Sequence, residues 1–289
     1  MRHVLKLTKW ELWKLARRPS SYVGFVLCLA FAAVSLIGFE WSQYKGKKIQ
    51  GLQLDPQQFL NGPFFANFVL NIGFFALLPL VAATVAGSQL AGENKDGTLR
   101  ALLVRPPSRT AVYVAKALAS LIWLELMVVF LCALALLIGH VAYGGGSLLV
   151  YIWEFRERGF WFVPADDWPW LMLLACLGAG AALAVIVACA LCISAITDNP
   201  VIAHVGTLGG FFISSVLQRL PDQLMGASFK EALPTTHMNF WHELYRWFHP
   251  DGSIVDHDRL WTDLAWCGGL TVGLFTLGLV LFRRRDLTG

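Results

Sequence analysis

Read for apolar runs alone, the 289-residue chain divides into six long hydrophobic stretches separated by short polar ones. The stretches run at about Ser21 to Trp41, Phe64 to Gly92, Thr110 to His140, Trp168 to Thr197, Pro200 to Leu217 and Trp261 to Phe282. Each is near or above the roughly 20 residues that a helix needs to cross a bilayer. The pattern therefore predicts an all-α integral membrane protein with six transmembrane helices. Pro79 falls near the middle of the second stretch and predicts a kink there. Only Asp198-Asn199-Pro200 separates the fourth stretch from the fifth, which makes those two an antiparallel hairpin.

Ahead of the first stretch the periodicity changes. Between Val4 and Arg18, at 100° per residue, Val4, Leu15, Thr8, Leu12, Leu5 and Ala16 fill one arc, while Arg2, Lys6, Lys9, Lys14, Arg17 and Arg18 lie outside it. Trp10 and Trp13 flank the basic side, as suits a helix lying at the headgroups of an anionic leaflet. The blander alternative is a basic tail. The organisation is thus an interfacial segment over residues 1–20 followed by a six-helix membrane domain over residues 21–289. Polar loops at 42–63, 141–167 and 218–260 are too hydrophilic to span. In the last of these, His237 to Phe248 predicts an amphipathic helix with Phe240, Trp241, Leu244, Tyr245 and Phe248 toward the membrane.

Composition agrees with the pattern. The chain is 56% hydrophobic and only 15% charged, where a soluble domain carries about a quarter charged residues. The net charge of +4 is too small to argue for nucleic acid, but its placement sets an orientation. Basic residues concentrate in the N-terminal segment, the loop after the second stretch and the closing Arg283-Arg284-Arg285, so both termini are expected in the cytoplasm of a multi-pass protein of the inner or plasma membrane. The first stretch lacks a small-residue cleavage site and reads as a retained span. Cys28, Cys132, Cys176, Cys189, Cys192 and Cys267 all fall in spans, where they act as small apolar residues.

One charged island interrupts the apolar pattern between the second and third spans. Ala91 to Arg109 holds Glu93, Lys95, Asp96, Arg100, Arg105 and Arg109, and a segment this polar cannot lie in hydrocarbon. Asp96 can cap a turn at Gly97-Thr98, Leu99, Leu102 and Leu103 share one helical face, and Pro106-Pro107 stop the helix. A short amphipathic helix at the membrane mouth and a solvated connecting loop are both compatible with that grammar.

The string Glu93-x3-Gly97-Thr98-Leu99-Arg100-x-Leu102-Leu103-x-x-Pro106-x-Ser108-Arg109, followed by Lys116, resembles the coupling-helix segment of type-2 ABC exporter permeases. Glu11-Leu12-x-Lys14-Leu15-x-Arg17-Arg18 ahead of the first span, and the closing Phe282-Arg283-Arg284-Arg285-Asp286, agree with it. The resemblance implies a permease subunit of an ATP-driven exporter that moves an amphipathic or hydrophobic substrate out of the cytoplasm. It makes residues 93–109 a cytoplasmic coupling helix, with Glu93, Asp96, Gly97, Thr98, Leu99, Arg100, Leu102, Leu103, Arg105 and Arg109 as the ATPase-coupling residues. It makes the N-terminal segment the elbow helix, with Glu11, Lys14, Arg17 and Arg18 beside the ATPase. Implied partners are two copies of a cytoplasmic ABC ATPase subunit, which would carry ATP and Mg, membrane lipids, and a second permease copy, in a homodimer or a heterodimer. Short re-entrant or surface helices between spans 5 and 6 are implied as well.

The chain's own chemistry is sparse. Gly92-x4-Gly97-Thr98 lacks the lysine that a phosphate loop uses, and no strand precedes it, so hydrolysis is not expected on this chain. No cofactor, metal or catalytic set is assigned. Glu125 is the one acid near the middle of a span, with His204 in span 5 as its nearest candidate partner. A proton or substrate role and a neutral or hydrogen-bonded carboxyl within the bundle are its two readings. His237, His242, His249, Asp256, His257 and Asp258 cluster in the last loop and could be imagined as a metal site, though polar-face histidines are the commoner case. The competing functional class is an integral membrane enzyme, or a non-transporting scaffold or sensor with this histidine-rich loop. Small residues repeat at three- and four-residue steps in spans 4, 5 and 6, marking helix contacts.

Overall fold

A computed structural model describes residues 2–44, 60–98, 108–153, 158–246 and 257–285. The described residues are almost wholly helical. Helix α1 spans Arg2–Arg17, α2 Pro19–Tyr44, α3 Gly62–Ala76, α4 Leu78–Gly87, α5 Ala91–Lys95, α6 Arg109–Tyr143, α7 Trp168–Ile196, α8 Pro200–Arg219 and α9 His257–Arg284. Five helices are individually long and apolar enough to cross a membrane, and the bent unit Gly62–Ala76 with Leu78–Lys95 makes a sixth candidate. That unit bends by 46° at Leu77, just before Pro79, whose ring removes a backbone donor and obstructs the preceding turn. Asn61 caps α3 through its carbonyl oxygen, which accepts from Phe64 N at 3.0 Å. At the predicted tight turn, Asn199 caps α8 in the same way by accepting from Val201 N.

The central helix is α7, which packs against α4, α6, α8 and α9. Its alanines and glycines let neighbours approach closely. Leu70, Phe74, Leu78, Met127, Val128, Leu131, Leu183 and Trp241 are among the side chains of the shared core. By contrast α2, α8 and α9 present Val26, Val34, Ile37, Val205, Ile213, Val272 and Leu277 outward, as the lipid-facing surface of a multi-pass membrane protein does. Not every small residue marks a contact within the chain. Added methyl groups on Gly210, Gly269 and Gly273 would meet nothing, whereas Gly178 and Gly180 are in close contact. The six thiols are free, five of them buried and Cys189 half-buried.

The loop 141–167 holds an element the hydropathy did not predict. Leu148–Trp153 and Arg158–Val163 form an antiparallel hairpin pairing Leu148 with Val163 and Trp153 with Arg158. β-branched and aromatic residues favour this pairing, and Leu148, Val150 and Val163 join the core beside α3. The predicted amphipathic helix in the last loop is also different. Short helical turns at Asp222–Met225, Ala227–Glu231 and Pro234–His237 lead into a 3-10 segment, Met238–Arg246. Its Phe240, Trp241 and Tyr245 are buried within the protein, because Gly178 of α7 leaves a notch for Trp241 and Leu244. Phe248 lies outside the described residues.

Helix α1 departs from expectation in its facing. Thr8, Glu11 and Leu15 are buried against α6, while Leu5 and Ala16 of the predicted apolar arc are exposed. The buried stripe is chosen by a charged partner on α6, described next.

Candidate functional site

One end of the bundle gathers the N-terminal helix, the start of the charged island, the start of α6, the α7–α8 turn and the end of α9. At its centre is a buried ion cluster. Lys116 Nζ lies 3.0 Å from Glu11 Oε2 and 2.7 Å from Glu93 Oε2. Lys14 Nζ lies 2.7 Å from both Glu11 Oε1 and Glu93 Oε1, and Arg18 Nη2 is 3.2 Å from Glu93 Oε1. Lys116 is 0% exposed and each glutamate 4%. Two carboxylates thus face three cations, with every carboxylate oxygen paired. Burial lowers the proton affinity of Lys14, but Glu93 and Glu11 more than offset it, and its pKa is raised.

The local sequence explains how these groups meet. Glu11 and Lys14 stand one turn apart on α1, and Arg18, directly after it and with its backbone N bonded to Lys14 O, continues the same face. Lys116 stands seven residues into α6, two turns above Arg109. With 35 residues, α6 is about 50 Å long, well beyond a hydrocarbon core of about 30 Å. That excess leaves room for Lys116 close to the polar boundary.

Glu93 sits in α5, where Ser194 of α7 fixes the backbone. Its hydroxyl accepts from Leu90 N and Ala91 N at 3.3 and 2.9 Å and donates to Gly87 O at 2.7 Å. The break between α4 and α5 thereby keeps its amides satisfied in a buried position.

Around the cluster a second set of contacts ties the remaining elements. Arg109 Nη1 donates to the carbonyls of Arg283 and Arg285 at 3.1 and 2.7 Å. Arg285 donates to the carbonyls of Ala195 and Thr197, both at 3.1 Å, and pairs with Asp198. Asn94 also bonds Asp198. Arg285 is therefore a structural tie to the α7–α8 turn, while Arg283 and Arg284 are exposed.

Of the sequence candidates, Glu11, Lys14, Arg18 and Glu93 are brought together in the cluster. Arg17 is not; its guanidinium lies 4.1 Å over the Trp13 ring on the exposed side, where Trp10 and Trp13 stack. Asp96 and Gly97 form the turn between α5 and Thr98, which is again helical. They end α5, with Gly97 at φ +71 donating to Asn94 O at 3.0 Å, a helix-stop conformation that glycine adopts without strain. Thr98 Oγ1 donates to Glu93 O. Leu99, Arg100, Leu102, Leu103 and Arg105 lie outside the described residues.

Lys116 entered the sequence reading only as a basic residue after the island. Its signal was a cation placed inside an otherwise apolar span, which demands a partner. Ser194 gave no signal in the sequence.

Glu125 stands apart, near the middle of α6, its carboxyl seated against Gly180 of α7. His204 is not its partner; that ring bonds Ser88 Oγ at 3.1 Å and fills the space over Gly87. The histidines of the last loop separate too. His237 pairs with Asp263 and His242 with Asn71, while His249 and Asp256 lie outside the described residues. Among the described residues no group of three or more such side chains is placed to hold a metal ion.

No curated protein matches the chain. A family model described as ABC-2 family transporter protein matches residues 7–214, from α1 through most of α8. That interval holds all five members of the ion cluster, four of the six candidate spans whole and most of a fifth. The chain belongs to the ABC-2 family of transporter membrane proteins, as a permease subunit.

Proposed function

We propose that this permease works as an exporter driven by a separate cytoplasmic ABC ATPase, and that the charged island is where the motor's movement enters. The observation that carries this reading is the buried cluster. Glu93 at the island's root is bound to α1 through Lys14 and Arg18 and to α6 through Lys116. Displacement of the segment that follows Glu93 would move α1, α5 and α6 together, because a paired buried charge cannot leave its partners without a large cost. The excess of Lys and Arg at this end supports a cytoplasmic placement for it and for both termini.

In this reading the segment 93–109 docks on the ATPase, with Leu99 and Leu102 supplying the apolar contact and Arg100 and Arg105 the charge. Two ATPase subunits carrying ATP and Mg serve two permease copies, and a homodimer is the simplest arrangement. An amphipathic or hydrophobic cargo suits the apolar, aromatic-rich spans. Arg100→Glu, or Leu99→Asp with Leu102→Asp, is expected to abolish copurification with the ATPase while leaving the permease inserted and monodisperse. An intact complex and undiminished cargo-stimulated ATP hydrolysis in liposomes from those variants overturns the docking assignment.

Glu125 is proposed as a functional carboxyl of the span. Glu125→Gln is expected to alter the pH dependence of transport, and an unchanged profile removes that role.

A further inference from the structure

The opposite end of the bundle holds a buried ion pair that the transport reading does not use. His237 Nδ1 lies 2.6 Å from Asp263 Oδ1 of α9, and His237 Nε2 lies 2.7 Å from the carbonyl oxygen of Glu231. A carbonyl only accepts, and an ionised carboxylate only accepts. A neutral imidazole has one N–H and can serve one of these partners; the imidazolium serves both. The ring also stacks on Trp266, with centroids 5.1 Å apart and planes 2° from parallel. The backbone carbonyl of His237 accepts from the Cys267 thiol at 3.4 Å. His237 is thus held to α9 by ring, side chain and backbone.

What this clamps is the buried 3-10 segment. Met238 follows directly, and Met238, Phe240, Trp241 and Tyr245 are nearly inaccessible within the bundle. A further tether near His237 is the 2.9 Å bond between Thr235 and Ser214 of α8, which no proton in the neutral range affects, and within the 3-10 segment His242 bonds Asn71 of α3. His237 forms part of the wall of a cleft of about 690 Å³, together with Ser228, Glu231, Asp258, Arg259 and Asp263. The site can therefore exchange protons with the medium although only 6% of the residue is exposed.

We propose that His237 and Asp263 form a proton-operated latch, closed while the imidazolium bridges Asp263 and Glu231 and loosened when the medium at this end of the bundle turns alkaline. Loosening releases the α9 end of the 3-10 segment, which is free to withdraw from the notch at Gly178. The latch is independent of ATPase docking at the far end.

The charges around the latch are of both signs. Asp258, Arg259, Asp263 and the Cys267 thiol belong to α9, Lys230 and Glu231 to the preceding turn, His242 and Glu243 to the 3-10 segment, and Arg219 to α8. Arg259 Nε, 3.9 Å from Asp263 Oδ2, competes for the carboxylate. Burial is the largest single influence and disfavours the cation, yet the bonds to Asp263 and to the Glu231 carbonyl, with the Asp263 charge, together more than compensate, and the pKa of His237 is raised. A group raised in the folded state contributes stability that is complete below its unfolded value of about 6.5 and is lost as pH rises through the folded value.

Two variants separate the latch from a merely structural pair. In Asp263→Asn, the amide donates to Nδ1 while Nε2–H keeps the Glu231 carbonyl, so a neutral ring satisfies both contacts and no alkaline release occurs. In His237→Gln, one bond is missing at every pH. The measurement is hydrogen-exchange protection of residues 238–246 in the full-length protein in nanodiscs, corrected for intrinsic exchange, from about pH 6 to about pH 9. In the native protein protection is expected to fall by up to about tenfold per pH unit above the folded pKa of His237. In Asp263→Asn it stays high and flat; in His237→Gln it is low and flat. A native profile that does not change with pH overturns the latch, and so does an equal fall in Asp263→Asn, which would assign the titration to another group such as His242. If His237→Gln does not fold, the comparison of native protein with Asp263→Asn decides alone.

Discussion

Lys116→Met is expected to destabilise the folded bundle by about 3–5 kcal/mol, the cost of removing one member of a buried ion set and leaving the others uncompensated. The loss falls on two carboxylates at once, since Lys116 is the only cation that touches the Oε2 atoms of both Glu11 and Glu93 among the described residues. Thermal unfolding followed by size-exclusion profile in detergent measures the effect. Glu93→Gln combined with Lys116→Met removes a charge of each sign, and the pair should cost less than the sum of its single changes, because the groups share one network. Strict additivity would mean that Glu93 and Lys116 act independently and would remove the physical basis for joint movement of α5 and α6. Ionic strength should matter little here, because buried pairs are poorly screened.

Gly62→Val is expected to be the most damaging change at a helix crossing, at about 3 kcal/mol. A Cβ on Gly62 would sit 2.7 Å from the backbone nitrogen of His140, and one on Gly139 would sit 2.9 Å from Gly62 O. The obstructing atoms are backbone on both sides, so neither helix can yield by changing a rotamer. Helices α3 and α6 would have to part, breaking the nearby bond from Gly62 N to Gly144 O. Gly268→Ala is the matched control. A Cβ there meets nothing within the chain, and alanine is the better helix former by about 1 kcal/mol. Equal melting temperatures for Gly62→Val and Gly268→Ala would refute the close crossing.

Much of the architecture was legible because the bilayer constrains it so strongly. A run of about 20 apolar residues has few ways to satisfy its backbone other than a spanning helix. The bend at Pro79 and the Asn-capped turn before Pro200 follow from residues acting on their own backbone. The hairpin 148–163 was missed because a polar loop was judged by hydropathy, while its strand signal lies in the alternation of a few residues. The 3-10 segment was expected at the membrane surface, since its apolar face has the same periodicity whether it meets lipid or protein.

The site divided along the same line. Glu11, Lys14, Arg18 and Glu93 stood out as charges beside spans, but nothing local tells that they converge on Lys116, which lies 105 residues from Glu11. Gly62 and Gly139 are likewise ordinary glycines until two helices cross there. The chain alone determined which segments form long apolar helices, where one of them bends, and where its charges cluster, because those properties depend on neighbours within a few residues. Only the tertiary structure decided which charges neutralise one another, that His204 serves Ser88 and Glu125 faces Gly180, and that His237 closes on Asp263. Such pairings are fixed by the rotation and depth of packed helices, which are settled by the sum of contacts around the bundle rather than by any one segment.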